Sequence, residues 1–506
     1  MRKRSGAGNG GDISIEADQV TVQNGSLIES ATSDLLESST SENGNGGTIS
    51  IKADILTISG QTGGTTAITT MSSKNGDAGN IDIDVTSTLN IQNGGDIFAN
   101  AYGAGNAGNI DISASSIIMS GDDPSNPSSI SALLGTGASG EGGQITIHTD
   151  VLNLEGEAQI SAETLAGYTV GDIGLLALDA EASDAGSIEI FAADIALNGG
   201  IIKASTAADG NGGTILINTD SLTVQGGRGI TCETQGTGNG GDLIITGDSL
   251  LIDGEDADVT GIFADSTIDG DAGSISLDFK TIKLKNNGQI SVETVDGEGG
   301  DIDITAGDLE LLDGGNIMAK STGAGNAGEL NINISSSLFV NNSQISTEAG
   351  LSDGGNIFIN TGTMARFIDS SVTASVGGGQ ETVGGNINLQ STYVILKNSL
   401  LTANAFEGRG GQIDISSKVY LADASSIVDA SSELGIDGSV DINAPFSNLS
   451  GSLKPLPAAF LNAANLLKEP CEARVRQGDY GSFTIKGRDA LPIEPGSYQI
   501  SPPPMF

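Results

Sequence analysis

The chain of 506 residues contains no tryptophan, one histidine, two cysteines and only two prolines before residue 445. Each scarcity removes a class of explanation. With His148 alone, neither a histidine-based metal cluster nor an imidazole-driven catalytic triad finds its usual side chains. Cys232 and Cys471 are too few for the disulfide framework of a small secreted domain. No run of about 18 apolar residues occurs, so no transmembrane helix is expected. Basic residues are scarce as well: 21 Lys and Arg stand against 64 Asp and Glu, a formal charge of −43. Such a surface repels nucleic-acid phosphates and anionic membranes. The opening Met1-Arg2-Lys3-Arg4 runs into Ser5-Gly6-Ala7-Gly8 with no apolar stretch, so it does not read as a signal peptide.

The distribution of proline marks the one clear boundary. Nine of the eleven prolines lie at or after Pro445, and Pro124 and Pro127 share a single loop. A residue without an N–H cannot serve inside a β ladder. Residues 1–444 are therefore expected to form one uninterrupted ladder system, and residues 445–506 a separate proline-rich tail. All of the acidity lies in residues 1–444, because the tail is nearly neutral.

What the sequence has in excess is glycine, 75 residues of it. A Gly-Gly or Ala-Gly step keeps returning, each time followed by alternating apolar residues. Gly10-Gly11-Asp12-Ile13-Ser14-Ile15 is the first, and Gly410-Gly411-Gln412-Ile413-Asp414-Ile415 comes near the end. Fifteen starts, fourteen of them such steps and the last Asp437-Gly438, have their second residue, glycine, at 11, 47, 79, 108, 143, 186, 213, 241, 273, 300, 328, 355, 385, 411 and 438. The mean spacing is about 30 residues, which is the signature of a repeat array.

Residues 299–327 illustrate one unit. After Gly299-Gly300, Asp301-Ile302-Asp303-Ile304 alternates with period two, as a half-buried strand does. Asp308-Leu309-Glu310-Leu311 repeats the alternation, Gly314-Gly315 makes a corner, and Asn316-Ile317-Met318-Ala319 forms a third short strand. One unit cannot bury its own apolar face, but stacked units can. The expected fold is all-β: a right-handed, single-stranded parallel β-helix of about 15 coils, each with three short strands. Inward ladders are expected from pairs such as Ile49/Ile51, Ile81/Ile83 and Ile302/Ile304 in the first strand. Leu56/Ile58 and Leu309/Leu311 belong to the second, and Ile97, Ile130 and Ile317 to the third. A small residue, Ala99, Ala132 or Ala319, follows two positions after each of the last set. Parallel stacking at about 4.8 Å would make a rod on the order of 70 Å long. Glycines at the corners serve positive φ or close backbone packing, and Asn and Asp there tolerate the left-handed region. A propeller, a leucine-rich horseshoe and a helical solenoid all need periods or motifs that are missing.

Three longer intervals interrupt the pattern: residues 30–45, 121–129 and 165–185. Insertions on a solenoid often carry its binding face. The third is the strongest contact candidate, since Leu175-Leu176 and their neighbours are apolar. His148 follows Ile147 in the alternation and reads as an outward, solvated side chain. Cys232 stands where other units have alanine and reads as a buried small residue. A bridge to Cys471 would need the tail to fold back along the rod and is not expected. The Gly-Asn-Gly-Gly-Asp corners lack the tandem nine-residue register of calcium turns. No Lys-Ser or Lys-Thr follows the glycines, so they are not phosphate loops. Paired carboxylates such as Asp301 and Asp303 share an outward face, the arrangement a polysaccharide hydrolase or lyase would use. In a chain with 64 acids such pairs arise by chance. No catalytic, cofactor-binding or metal-ligating residue is singled out.

The frame Gly8-Asn9-Gly10-Gly11-x-Ile13-x-Ile15-x-Ala17-x-x-Val20-x-Val22 resembles the long secreted exoproteins of the filamentous haemagglutinin type, which belong to two-partner secretion systems. The likeness is closest to the large cyanobacterial members. The tail adds to it: Leu456-Pro457-Ala458-Ala459 leads through Leu466-Leu467 to Cys471-Glu472-Ala473-Arg474, Ser482-Phe483 and Gly487-Arg488-Asp489-Ala490-Leu491-Pro492. This resembles the family's terminal module, with Asp489-Ala490 replacing Gly-Gly in its last motif. The resemblance spans essentially the whole chain. It implies a protein that is secreted or held at the cell surface, exported through an outer-membrane partner transporter, with a cell-surface, matrix or glycan ligand. The family's signal peptide and Asn-Pro-Asn-Leu secretion domain are missing, so the chain reads as the C-terminal part of a longer exoprotein. The tail, with a short helix near 458–468, is expected to cap the ladder. The function expected is that of a non-catalytic, adhesin-like rod without cofactors. A polysaccharide-active β-helix enzyme and a calcium-dependent surface-layer protein are the alternatives. A cluster of carboxylates in one groove would favour the enzyme.

Overall fold

The computed structural model describes residues 9–32, 44–61, 64–72, 75–121, 123–135, 139–165, 183–207, 209–255 and 259–449. The chain divides into two compact units, Met1–Ser452 and Leu453–Phe506. The second unit lies outside the described residues, and with it the expected helix near 458–468, the cap and Cys471. So do the middle of the first insertion, residues 33–43, and most of the third, residues 166–182.

The described residues are all β, with no helix among them. They form a parallel β-solenoid in which each strand pairs with its counterpart one coil away. One sheet has seventeen strands; two of its coils supply two strands each, so it contains fifteen rungs. They begin directly after the fifteen glycine steps, as the period requires. A second sheet has fourteen strands. The third side is a column of single parallel bridges, running from Ala101–Leu134 through Thr234–Ser266 and Thr294–Ser321 to Ala405–Ser432.

The cross-section differs from the expected three separate strands. The first two strands of a unit are one continuous strand, such as Ile302–Leu312 or Ile215–Gln225. It bends without losing its ladder. Ile302, Ile304 and Ala306 point inward, then Leu309 and Leu311 do, so the inward parity changes across Gly307-Asp308. A strand that keeps its parity stays on one face; this one turns a corner by placing two consecutive residues outward. Three rungs accommodate an extra residue at the bend: Thr86-Ser87, Ser335-Ser336, which face the single Gly307, and Gly362-Thr363. In the last of these the bend breaks the strand outright, between Ile357–Thr361 and Met364–Ile368.

The same bend relocates the boundary drawn at Pro445. Ser439–Asn443 pairs with residues 412–416, and Phe446–Leu449 pairs with Val419–Ala422. Pro445 sits at the corner between them, where no ladder N–H is required, so the sheet extends past it.

The inward ladders form one contiguous core in which nearly every expected Ile, Leu and Val is fully buried. Each buried side chain of this size contributes about 1.5–3 kcal/mol. An inward column of hydroxyls was not anticipated. Thr164, Thr234, Thr294, Ser321 and Ser432 turn their side chains toward the glycine corner and donate to the carbonyls of Asp184, Gly210, Gly270, Gly297 and Gly408, at 2.9, 3.3, 2.8, 3.2 and 2.7 Å.

The corners use two devices. Between the long and short strands, Asn24, Asn93, Asn286, Asp313, Asn342 and Asn398 all have φ between 47° and 57°, the left-handed conformation expected of them. At the glycine step the reason is close approach. A Cβ on Gly300 would overlap the carbonyl oxygen of Gly273 one rung below, and the same holds at Gly328, Gly355 and Gly385.

Candidate ligand groove

The bend in the long strand creates an open, concave surface. Just before it, outward side chains of successive rungs line up as Asn218, Thr246, Asp278, Thr305, Asn333 and Asn360. Just after it stand Asp220, Asp248, Lys280, Gly307 and Ser335. Between the two columns runs a groove of about 760 Å³. Its floor is low because Gly247, Ala306 and Gly307 add little bulk. Gly247 has a packing reason too: the ring of Phe279, buried in the next rung, fills the space its side chain would take. The groove's polar groups are organised along the axis. Asn218 Nδ2 donates to Thr246 Oγ1 at 3.0 Å, and Lys280 Nζ pairs with Asp248 at 2.6 Å. Both ion-pair partners are largely exposed, so the pair adds little stability.

The column before the bend continues one rung further to Phe191 and then to His148. The two rings stack with centroids 4.9 Å apart and planes 9° apart. His148 is outward and exposed as its place in the alternation requires. Its stacking on Phe191 was not anticipated, although both residues follow the second isoleucine of their units, Ile147 and Ile190.

A second concentration of polar groups lies along the short strands. The residue between the small inward residue and the bridge residue is Glu163, Glu233, Asp265, Glu293, Lys320 and Glu348 in six coils. These outward positions are mostly half-buried. Glu163 pairs with Lys203 at 2.8 Å, Glu233 with Arg228, and Lys320 with Glu348 at 3.4 Å. Asp265, between Glu233 and Glu293, is without a basic partner. Burial, reinforced by those two carboxylates, pushes its pKa up to about 7, against the opposing N–H of Glu293 and hydroxyl of Ser291. Burial also raises Glu293. Further along, Asp96 is pushed up to about 6 by burial, with Ser129 donating to it at 2.6 Å.

Cys232 is fully buried in the alanine column, and burial raises its thiol well above the ordinary range. The Asn and Asp residues of the glycine corners are engaged by the backbone. Asn211 Oδ1 accepts from Asn239 N–H at 2.9 Å, Asn239 Oδ1 from Asp271 N–H at 3.0 Å, and Asp271 Oδ1 from Glu298 N–H at 2.9 Å. Asp301, one of the paired outward acids, likewise accepts from Glu329 N–H at 2.8 Å. No group of three or more His, Cys, Asp or Glu suited to a metal ion occurs among the described residues. No helix long and apolar enough to cross a membrane occurs among the described residues, which says nothing of a β-barrel.

The chain matches no protein-family model, no curated protein and no solved structure.

Proposed function

We propose that the solenoid is a non-catalytic, adhesin-like rod that holds contact residues away from the cell and presents them repeatedly along its length. The observation that carries this reading is the unbroken stack: fifteen rungs share one sheet and one core. Outward positions repeat every coil. The resemblance to filamentous haemagglutinin-type exoproteins supplies the export route, an outer-membrane partner transporter, and a location at or beyond the cell surface. Beads coated with the full chain should attach to cells or to polysaccharide-coated surfaces, and soluble protein should compete. Failure to attach to any surface would sink the reading.

The polysaccharide-active alternative draws on two observations, the aspartates Asp220, Asp248 and Asp278 lining one groove and the row Glu233, Asp265 and Glu293 with Asp265 near neutrality. In an enzyme of that kind one carboxyl must be protonated at working pH while a second is not. Incubation with acidic and neutral polysaccharides, followed by assays for new reducing ends and unsaturated products, decides between the two; the rod reading expects neither product.

A further inference from the structure

We infer that the groove along the bend binds an extended, uncharged polysaccharide lying parallel to the axis of the stack. This inference deepens the adhesive reading and rests on it for its biological setting, though not for its chemistry.

Pitch is the first argument. Rungs repeat at about 4.8 Å, close to the length of one pyranose in an extended chain. Neighbouring sugars therefore lie close to neighbouring rungs, and the six rungs lining the groove span about 24 Å.

Side-chain chemistry is the second. Sugar hydroxyls both donate and accept, and they are matched by groups that do the same. The outward column offers asparagine amides at 218, 333 and 360 and threonine hydroxyls at 246 and 305, all on the bent strands and not on loops. Such polar groups fixed on rigid elements give orientation and specificity.

Aromatic stacking is the third. Phe191 is half-buried and lies one rung from Asn218, with His148 stacked beyond it. The Phe191 ring, one face covered by His148, adds apolar surface at the end of the polar groove against which the C–H groups of a pyranose can pack.

Charge fixes the class. Asp220, Asp248 and Asp278 face the groove against Lys280 alone. Like charges in a cleft are repelled, so uronates and sulfated glycans are disfavoured.

The single histidine makes the test direct, because its ring resonances are unique in the spectrum. The full chain is titrated with hexasaccharides of β-linked glucose and of N-acetylglucosamine, with a galacturonate hexamer as the anionic probe. Calorimetry and the His148 ring signals are followed together. Saturable binding of a neutral hexamer that moves the His148 signals is expected, with no binding of the galacturonate. Phe191→Ala should weaken binding roughly tenfold. Thr305→Trp, which fills the groove from an exposed position, should abolish it. Both variants should keep the parent's melting temperature. No neutral hexamer bound, binding unaffected by both variants, or equal binding of the galacturonate would each overturn the inference. The bead assay separates the two readings. If wild-type and variant beads attach equally well, the groove assignment fails and the adhesive reading stands. If wild-type beads attach nowhere, the adhesive reading fails and the hexamer titration alone decides the groove.

Discussion

The glycine of the repeating step is fixed by its neighbour one rung below. Gly300 cannot become alanine without pushing against the Gly273 carbonyl, a backbone atom that cannot swing aside. Gly300→Ala should destabilise the solenoid by on the order of 3 kcal/mol, read by urea unfolding. Gly11→Ala, where nothing lies within 4 Å of the added methyl, should be nearly neutral. Equal effects at the two positions would refute the close-approach account. Asp265 supplies a second residue-scale prediction. Its carboxyl is raised from 3.8 to about 7, so the folded chain retains a proton that the unfolded chain has released. The unfolded state then binds fewer protons, and stability falls as pH rises between about 4 and about 7, levelling off above. Asp265→Asn keeps an acceptor for Ser291 and Glu293 but has no proton to lose. Its melting temperature relative to the parent should climb across that window and then stay constant; a difference independent of pH would contradict the buried-acid account.

At the scale of the strand, the bend is the informative unit. The sequence shows where rungs begin, because the glycine column and two branched apolar residues (Ile, Leu or Val) after it recur in every coil, and residues such as Ile302, Ile304, Leu309 and Leu311 are buried as their alternation demands. It does not show that the strand continues through Ala306-Gly307-Asp308. A reversal of inward parity reads in one dimension like a break, and only the ladder one coil away, Ala306 opposite Ile334 and Asp308 opposite Ser337, reveals continuity. The groove was hidden for the same reason, since its concavity comes from the turn and not from any motif. The burial of Glu233, Asp265 and Glu293 arises from neighbouring coils and has no counterpart in the sequence pattern. The bend also predicts where length can vary. Deleting Ser336 restores the commoner spacing and should leave a folded chain with a melting temperature within a few degrees of the parent. Deleting Asn331, in the straight part, reverses every later side chain of that rung and should abolish cooperative melting in the region. Circular dichroism and thermal melts of the two deletions give the comparison.

Across the whole molecule, charge and stacking act together. The chain carries −43, and the described residues contain seven ion pairs, three of them exposed at both partners, which relieve little of it. Repulsion between like charges on adjacent coils is long-range and is screened by salt. Raising the ionic strength from about 0.01 to about 0.15 M shortens the screening length from roughly 30 to roughly 8 Å. The melting temperature should rise accordingly, and a fall would mean that ion pairs outweigh the repulsion. The Asn and Asp ladder at the glycine corners carries a consequence of a different kind. In each step the side-chain oxygen belongs to the earlier coil and the amide to the later one: Asn9 to Asn45, Asn45 to Asp77, Asp77 to Asn106, Asn106 to Glu141. A finished coil thus offers ready acceptors in one direction only. Growth of the ladder has a polarity, and a chain emerging from its N-terminal side finds each new coil met by a template already in place.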